Sequence, residues 1–340
     1  MEHLSRHWEE RRAPTLKDVA RAVGVSEAVA SVVLNGARSG TRVSEHRRQE
    51  VIDAAARIGY RPNSLARALQ AGLNHRIGFY SGRQAIDARS LFFTELLGGV
   101  CAGANAQDSN LVLLTAADSE LRLLELLTGA SLDGLILQCR PEDEIFPLLE
   151  DLRIPAVVIN DAESLCLPVV GVDEVQGGTL QAERLAEKGH RHALYKQSRS
   201  LTLSVQRRMT SFVARARELG IRTTIRYQDD FDEPIDAADI ALVSKGPDRA
   251  TAVVGWHDHA ADLICARLTE AGLDVPGQVA VLGFDGFGSY YTPRFRLSSV
   301  RAPWFEVGRT AVSLMAALMR GEQVPHITSL PVEFVPGSTD

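Results

Sequence analysis

From residue 76 onward the chain repeats one pattern, a short run of β-branched apolar residues followed by a longer stretch with apolar residues at helical spacing. The clearest runs are "AVVI" at 156–159, "AVVG" at 252–255 and "AVLGF" at 280–284. Strands that read as unbroken apolar runs are buried on both faces, and their alternation with helices predicts parallel sheets covered on both sides. Candidate strands lie at 77–80, 111–115, 134–138, 156–159, 169–172, 193–195, 223–227, 240–243, 252–255, 279–284 and 298–300. Amphipathic helices are expected at 92–106, 176–188, 205–219, 260–271 and 304–320. Eleven strands exceed an ordinary open sheet, so a break near 172–178 is expected to divide them into two doubly wound halves of an α/β fold.

The head of the chain reads differently. Thr15 and Asp18 have the spacing of a capping box; Val19, Ala20 and Val23 form one helical face, and Gly24 supplies a tight turn. Ser26 caps a second helix with Val25, Val29 and Val33 facing inward, and Asn35-Gly36 stops it. A third helix starts at Ser44, buries Val51, Ile52, Ala55 and Ile58, and ends at Gly59. Two short helices around a glycine turn make a helix-turn-helix, although any αα-hairpin shares that outline. "YRPNSLARALQAG", 60–72, then gives a two-turn helix that isolated peptide physics leaves marginal, as a hinge would be.

Charge separates the two parts. Residues 1–72 hold 12 Lys and Arg against 8 Asp and Glu, a charge of +4, whereas residues 73–340 hold 25 against 35, a charge of −10. A basic head on an acidic body suits a small module that meets phosphates, with chance clustering as the bland alternative. The four cysteines, Cys101, Cys139, Cys166 and Cys265, are widely spaced, so neither a disulfide framework nor a zinc ribbon is indicated. The opening residues are charged and no apolar run approaches a spanning helix, from which a cytoplasmic location is expected.

"TLKDVARAVGVSEAVASVVLNG", "RVSEHRRQEVIDAAARIGYRPNSLARALQAG" and "GLDVPGQVAVLGFDGFGSYYTPRFRLSSVRAPWFEVGRTAV" together resemble the LacI-type family of bacterial transcription regulators. The resemblance covers nearly everything after residue 14 and implies a headpiece, a hinge helix, and a dimerising core like periplasmic sugar-binding proteins. The division expected is an N-terminal extension over 1–14, a headpiece over 15–60, a hinge helix and linker over 61–75, and a core over 76–340. Within the core, an N-subdomain takes about 76–173 plus 303–328 and a C-subdomain about 174–302 plus 329–340. The implied function is sequence-specific DNA binding, with repression the expected action, controlled by a small polar effector, sugar-like for preference, held between the subdomains.

In such a regulator the second helix enters the major groove and paired hinges enter the minor groove of a near-palindromic operator. Leu69 matches the family's wedge between central base pairs. Thr15, Ser31, Arg61, Asn63 and Arg67 are candidate phosphate contacts, with Ser26 and Asn35 at the ends of the reading helix. Glu27 and Ala28 fall where the family chooses bases, and Val32 stands where Arg or His is frequent. Glu accepts from cytosine N4, and Ala and Val touch thymine methyls. Glu27 also suits a helix N-terminus for purely electrostatic reasons.

Doubly wound sheets bind ligands beyond the carboxyl ends of their strands. Tyr80 and Ser81, Asn160 and Asp161, Trp256 to Asp258, and Asp285 fall at such ends. Arg208 in "SVQRRMTSF" and Asp285 in "GFDG" match the family's effector contacts, and Asn160 and His257 replace the usual residues at theirs. Phe92 is a candidate wall. Dull alternatives stand beside each: Asp285 as a turn cap, Arg208 in an ion pair, Phe92 as core. His257-Asp258-His259 lacks metal-site spacing, and no GxGxxG, Walker or GxSxG sequence follows a strand, so no metal, cofactor or enzymatic activity is expected. A free solute-binding protein would lack the basic head. A regulator whose core ignores small molecules, or takes a protein partner, is the remaining alternative. The absence of a C-terminal leucine heptad points to a homodimer.

Overall fold

The computed structural model describes residues 14–35, 43–60, 74–82, 90–114, 120–129, 132–139, 143, 145–152, 154–160, 167–199, 202–228, 232–288 and 295–340. They fall into two units, 1–76 and 77–340.

In the first unit the Asp18 carboxylate accepts from the Thr15 backbone N–H at 2.8 Å and its hydroxyl at 2.6 Å, which starts α1, Leu16–Val23. Gly24 ends it at φ 69, a left-handed conformation that costs glycine little. Ser26 Oγ accepts from the Val29 N–H at 3.3 Å and opens α2, Glu27–Asn35. Ser44 accepts from the Arg47 N–H and opens α3, Glu45–Ile58. The core is small: Val19, Ala20, Ala30, Val51, Ala54 and Ala55, with Leu16, Val23, Val25, Val33, Leu34, Ile58 and Tyr60 packed against it. Two inward assignments change. Ile52 is 41% exposed, and on α2 it is Ala30 that is fully buried in this core, while Val29 is half-buried and does not pack against it.

The second unit begins at the second residue of β1, Arg76–Tyr80, and goes on with α4 Leu91–Ala106, β2 Asn110–Leu114, α5 Glu120–Gly129, β3 Gly134–Leu137, α6 Ile145–Leu152, β4 Ala156–Ile159 and β5 Val169–Val172. It continues with α7 Glu174–Glu187, β6 His192–Ser198, α8 Leu203–Glu218, β7 Arg222–Gln228, α9 Ala237–Ser244, β8 Ala252–Gly255, α10 Asp258–Glu270 and β9 Ala280–Asp285. Then come β10 Ser298–Arg301, α11 Trp304–Met319, β11 Ile327–Leu330 and β12 Glu333–Val335. The described strands form two six-stranded sheets, ordered β11-β5-β4-β3-β1-β2 and β12-β10-β9-β8-β6-β7. The break between halves falls at Asp173, which caps α7.

Strand alternation decides what each face buries. Ile77 and Phe79 join Ile136, Val157, Ile159 and Val170 against α4 and α11, while Tyr80, Leu135, Leu137 and Val158 turn to the other face, towards α5 and α6. The second sheet is covered by α7 and α8 on one side and α9 and α10 on the other. Each fully buried Val, Leu, Ile or Phe contributes roughly 1.5–3 kcal/mol.

The segment 240–243 is not a strand. Asp236 and Asp239 form a capping box whose side chains bond each other's backbone N–H groups, so the apolar run becomes α9. The crossing between the sheets also moves: β11 pairs with β5 as far as Leu330–Val172, so a division at 328 would cut a strand. Among the described residues no helix is long and apolar enough to cross a membrane.

Candidate functional site

The best-built polar cluster of the core lies at the carboxyl ends of β8 and β9. Arg208, on α8, is 3% exposed and lies over the Phe284 ring, its guanidinium carbon 3.2 Å from the ring centroid. Glu174, the first residue of α7, takes the guanidinium fork with both oxygens, from Nε at 2.6 Å and Nη2 at 3.1 Å. Nη1 donates to the Trp256 carbonyl at 2.5 Å. Burial disfavours the charge on Arg208, but Glu174 outweighs it and holds the guanidinium above its ordinary pKa.

Trp256 and His257 follow β8 and stack, ring centroids 3.7 Å apart. His257 is also the N-cap of α10: its Nδ1 accepts from the Ala260 N–H at 3.0 Å, which leaves the ring proton to Nε2. Burial, reinforced by His259, lowers its pKa to about 3, so the ring is neutral. Asp285 ends β9 at φ 120, a backbone conformation rare for a side-chain-bearing residue and typical of functional sites. Trp304 Nε1 donates to its Oδ1 at 2.9 Å. Burial and the neighbouring Asp258 push the Asp285 carboxyl well above the usual range.

The following turn is capped by Asp258, not Asp285. Asp258 accepts from Ser299 Oγ at 2.5 Å and from the N–H groups of Phe287 at 2.7 Å and Gly288 at 3.3 Å. Phe92 joins through its ring, edge-on to Trp304 at 4.8 Å. Arg208, Glu174, Trp256 and His257 thus form one contact group and Asp285, Trp304 and Phe92 another, coupled through the charges of Arg208, Glu174 and Asp258 on Asp285; of the added members Glu174, Asp258 and Trp304, the sequence reading placed only Asp258 at a strand end. Their signals were present but weak: "VDE" at a helix start, an aspartate after His257, and the tryptophan of "APWFEVG".

Three candidates belong to the first sheet. Tyr80 leaves the face of Phe92 and Trp304, packs with Leu114, Leu127 and Leu135, and donates its hydroxyl to Asp143 Oδ1 at 2.9 Å. It is a core residue of the outer face, because β1 alternates and Phe79 takes the inner one. Ser81 follows it and is buried. Asn160 follows β4 at φ 70, and its buried Oδ1 has no hydrogen-bond partner among the described residues.

In the helical unit, Glu27 and Ala28 are exposed at the start of α2, and Ser31 and Val32 are half-buried. Ser26 is held by its cap role and the Thr15 hydroxyl proton by Asp18. Arg61, Asn63, Arg67 and Leu69, with the N-terminal extension up to residue 13 and the Asn35 side chain, lie outside the described residues.

Known proteins resemble both units of the chain. A family model described as bacterial regulatory proteins, lacI family, matches residues 15–63, and one described as a periplasmic binding protein-like domain matches 182–339. Catabolite control protein A of Priestia megaterium is 27% identical over 333 residues, covering 94% of this chain and 98% of that protein. The HTH-type transcriptional repressor PurR of Vibrio vulnificus is 25% identical over 320 residues, covering 91% and 93%. Among solved structures, the Lac repressor dimer bound to operator and the anti-inducer ONPF superposes with a TM-score of 0.82 at 20% identity, covering 96% of this chain and 99% of that one.

Proposed function

The chain belongs to the LacI family of bacterial transcription regulators, and from that premise we propose that its core senses a small, uncharged polar molecule, sugar-like for preference, between the two core subdomains. The observation that carries this reading is the convergence of Arg208, Trp256, His257 and Asp285 beyond the carboxyl ends of β8 and β9, each held by protein partners. Glu174 already neutralises Arg208, so the remaining guanidinium donors suit hydroxyl or carbonyl oxygens better than a carboxylate. The raised Asp285 carboxyl both donates and accepts when protonated, which fits a polyol. Phe92 supplies an apolar edge.

The protein binds operator DNA, and we assign repression as its action and a homodimer as its working form, with α2 reading the major groove through Glu27, Ala28 and Val32. Thr15, Ser26, Ser31, Asn35, Arg61, Asn63 and Arg67 are proposed to support that contact, and Leu69 to wedge the minor groove. A regulator of bacterial genes works where the DNA is, so we place it in the cytoplasm. A thermal-shift screen against sugars, polyols and nucleobases tests the sensor. A ligand that raises the melting temperature of the wild type and not of Asp285→Ala is expected. A hit that stabilises both equally would overturn the cleft assignment.

A further inference from the structure

The opposite edge of the second sheet carries a different chemistry. Arg191 precedes β6, Arg222 opens β7 and Arg249 precedes β8, so three separate chain segments bring their guanidinium groups to the amino ends of neighbouring strands. They surround a concavity of about 380 Å³, also lined by His192, Asp248 and Thr251.

None of the three arginines is paired with a carboxylate among the described residues. Arg191 donates to the His190 carbonyl at 3.1 Å. Arg222 donates to the Asp248 carbonyl at 2.8 Å and meets His192 Nδ1 at 2.9 Å. Arg249 bridges the Val243 and Gln278 carbonyls at 3.1 and 2.8 Å. Backbone carbonyls fix a guanidinium without cancelling its charge. Elsewhere in this unit Arg184, Arg208, Arg215, Arg267, Arg301 and Arg309 all have carboxylate partners. Three cations held together raise the energy of the folded state unless an anion joins them, and Asp248 is the only acid on the described lining.

We infer that this concavity binds a phosphate group, as inorganic phosphate or as part of a small metabolite, at a site separate from the Arg208 cluster. Planar guanidinium forks match phosphate oxygens two at a time, and the volume lies in the range of small-molecule sites. The Thr251 hydroxyl, held 2.8 Å from His190 Nδ1, and the buried His192 ring add polar groups to the same wall.

The test is calorimetry and thermal shift on the full-length protein with inorganic phosphate, against chloride at equal ionic strength. Phosphate alone is expected to stabilise the protein, and Arg191→Glu and Arg222→Gln are each expected to weaken its binding about tenfold or more. Arg191 bonds only its neighbour's carbonyl, so its variant is expected to keep the wild-type melting temperature in chloride. Asp285→Ala is expected to bind phosphate as the wild type does, which separates this site from the sensor. A hexose phosphate that binds more tightly than phosphate, and still depends on Arg191, identifies a metabolite; equal affinity identifies free phosphate, and both support the site. No stabilisation beyond chloride, or unchanged affinity in both arginine variants, would overturn it.

Discussion

Arg208 shows how much one residue's meaning depends on what faces it. "SVQRR" supplies a cation on a helix, but its acid partner stands 34 residues earlier, at a helix start where a glutamate already has an electrostatic reason to be. That pairing is a tertiary fact, and no local spacing encodes it; Arg208, Asp258 and Asp285 were legible as polar residues at the right places, whereas Glu174 was not. Asp258 gives a measurable consequence. Burial raises its carboxyl to about 7. Between the unfolded value near ~3.9 and that figure the folded chain holds a proton that the unfolded chain has released, so stability is lost as pH rises. His257 runs the other way: its folded value near 3 means the unfolded chain protonates first, and stability is lost in acid below about 6.5. Above pH ~6.5 only the carboxyl effect remains of the two. Melting temperature is therefore expected to fall between about pH 6.5 and 8 in the wild type and to fall less steeply in Asp258→Asn; equal slopes would show that Asp258 is ionised throughout. Glu27 makes a second prediction at this scale. If its carboxylate accepts from a cytosine, Glu27→Ala relaxes the preference at one operator position by about 1–3 kcal/mol, read by selection from random duplexes. An unchanged preference would leave it the helix-end role alone.

At the scale of elements, apolar period and turn chemistry were enough to locate most strands, because parallel strands buried on both faces leave the plainest signature in a sequence. The run at 240–243 shares that signature, yet Asp236 and Asp239 take its backbone donors and wind it into a helix. Period alone does not separate a short buried strand from one and a half turns of buried helix. β11 was missed for the converse reason: Ile327–Leu330 alternates between exposed and half-buried residues at a sheet edge, without an apolar run to mark it. Among the described glycines, the least room for a side chain lies between α4 and α11. A Cβ added at Gly99 would stand 1.9 Å from the Phe305 carbonyl oxygen, and one at Gly308 would stand 2.3 Å from that of Leu96. The two helix backbones touch at reciprocal glycines, so neither side has a flexible atom to move. Gly99→Ala gains helix propensity but must push the helices apart, and is expected to destabilise the core by about 3 kcal/mol or more in urea unfolding. A neutral or stabilising result would mean that the helices are not packed this closely.

At the scale of the molecule, the polypeptide crosses between the two sheets three times, at Asp173, at 302–303 and at 331–332, and Trp304 anchors one crossing by donating to Asp285. A ligand that engages Asp285 therefore touches a group already tied to α11, whose other residues pack on the first sheet. Effector occupancy can bias the angle between subdomains through that link, and an altered angle changes the spacing that a dimer offers to two half-sites. Linkage makes this quantitative. The factor by which effector changes operator affinity must equal the factor by which operator changes effector affinity, and coupling of this kind usually amounts to about 5–150-fold. Titrating effector with and without saturating operator duplex measures one side, and titrating operator with and without effector measures the other. Equal factors clearly different from one are expected, and their direction distinguishes an inducer from a corepressor. Trp304→Phe keeps the ring and removes the indole N–H, so it is expected to bring both factors closer to one while operator affinity without effector stays near that of the wild type. If operator leaves effector affinity unchanged in the wild type, the cleft binds its ligand without speaking to the DNA.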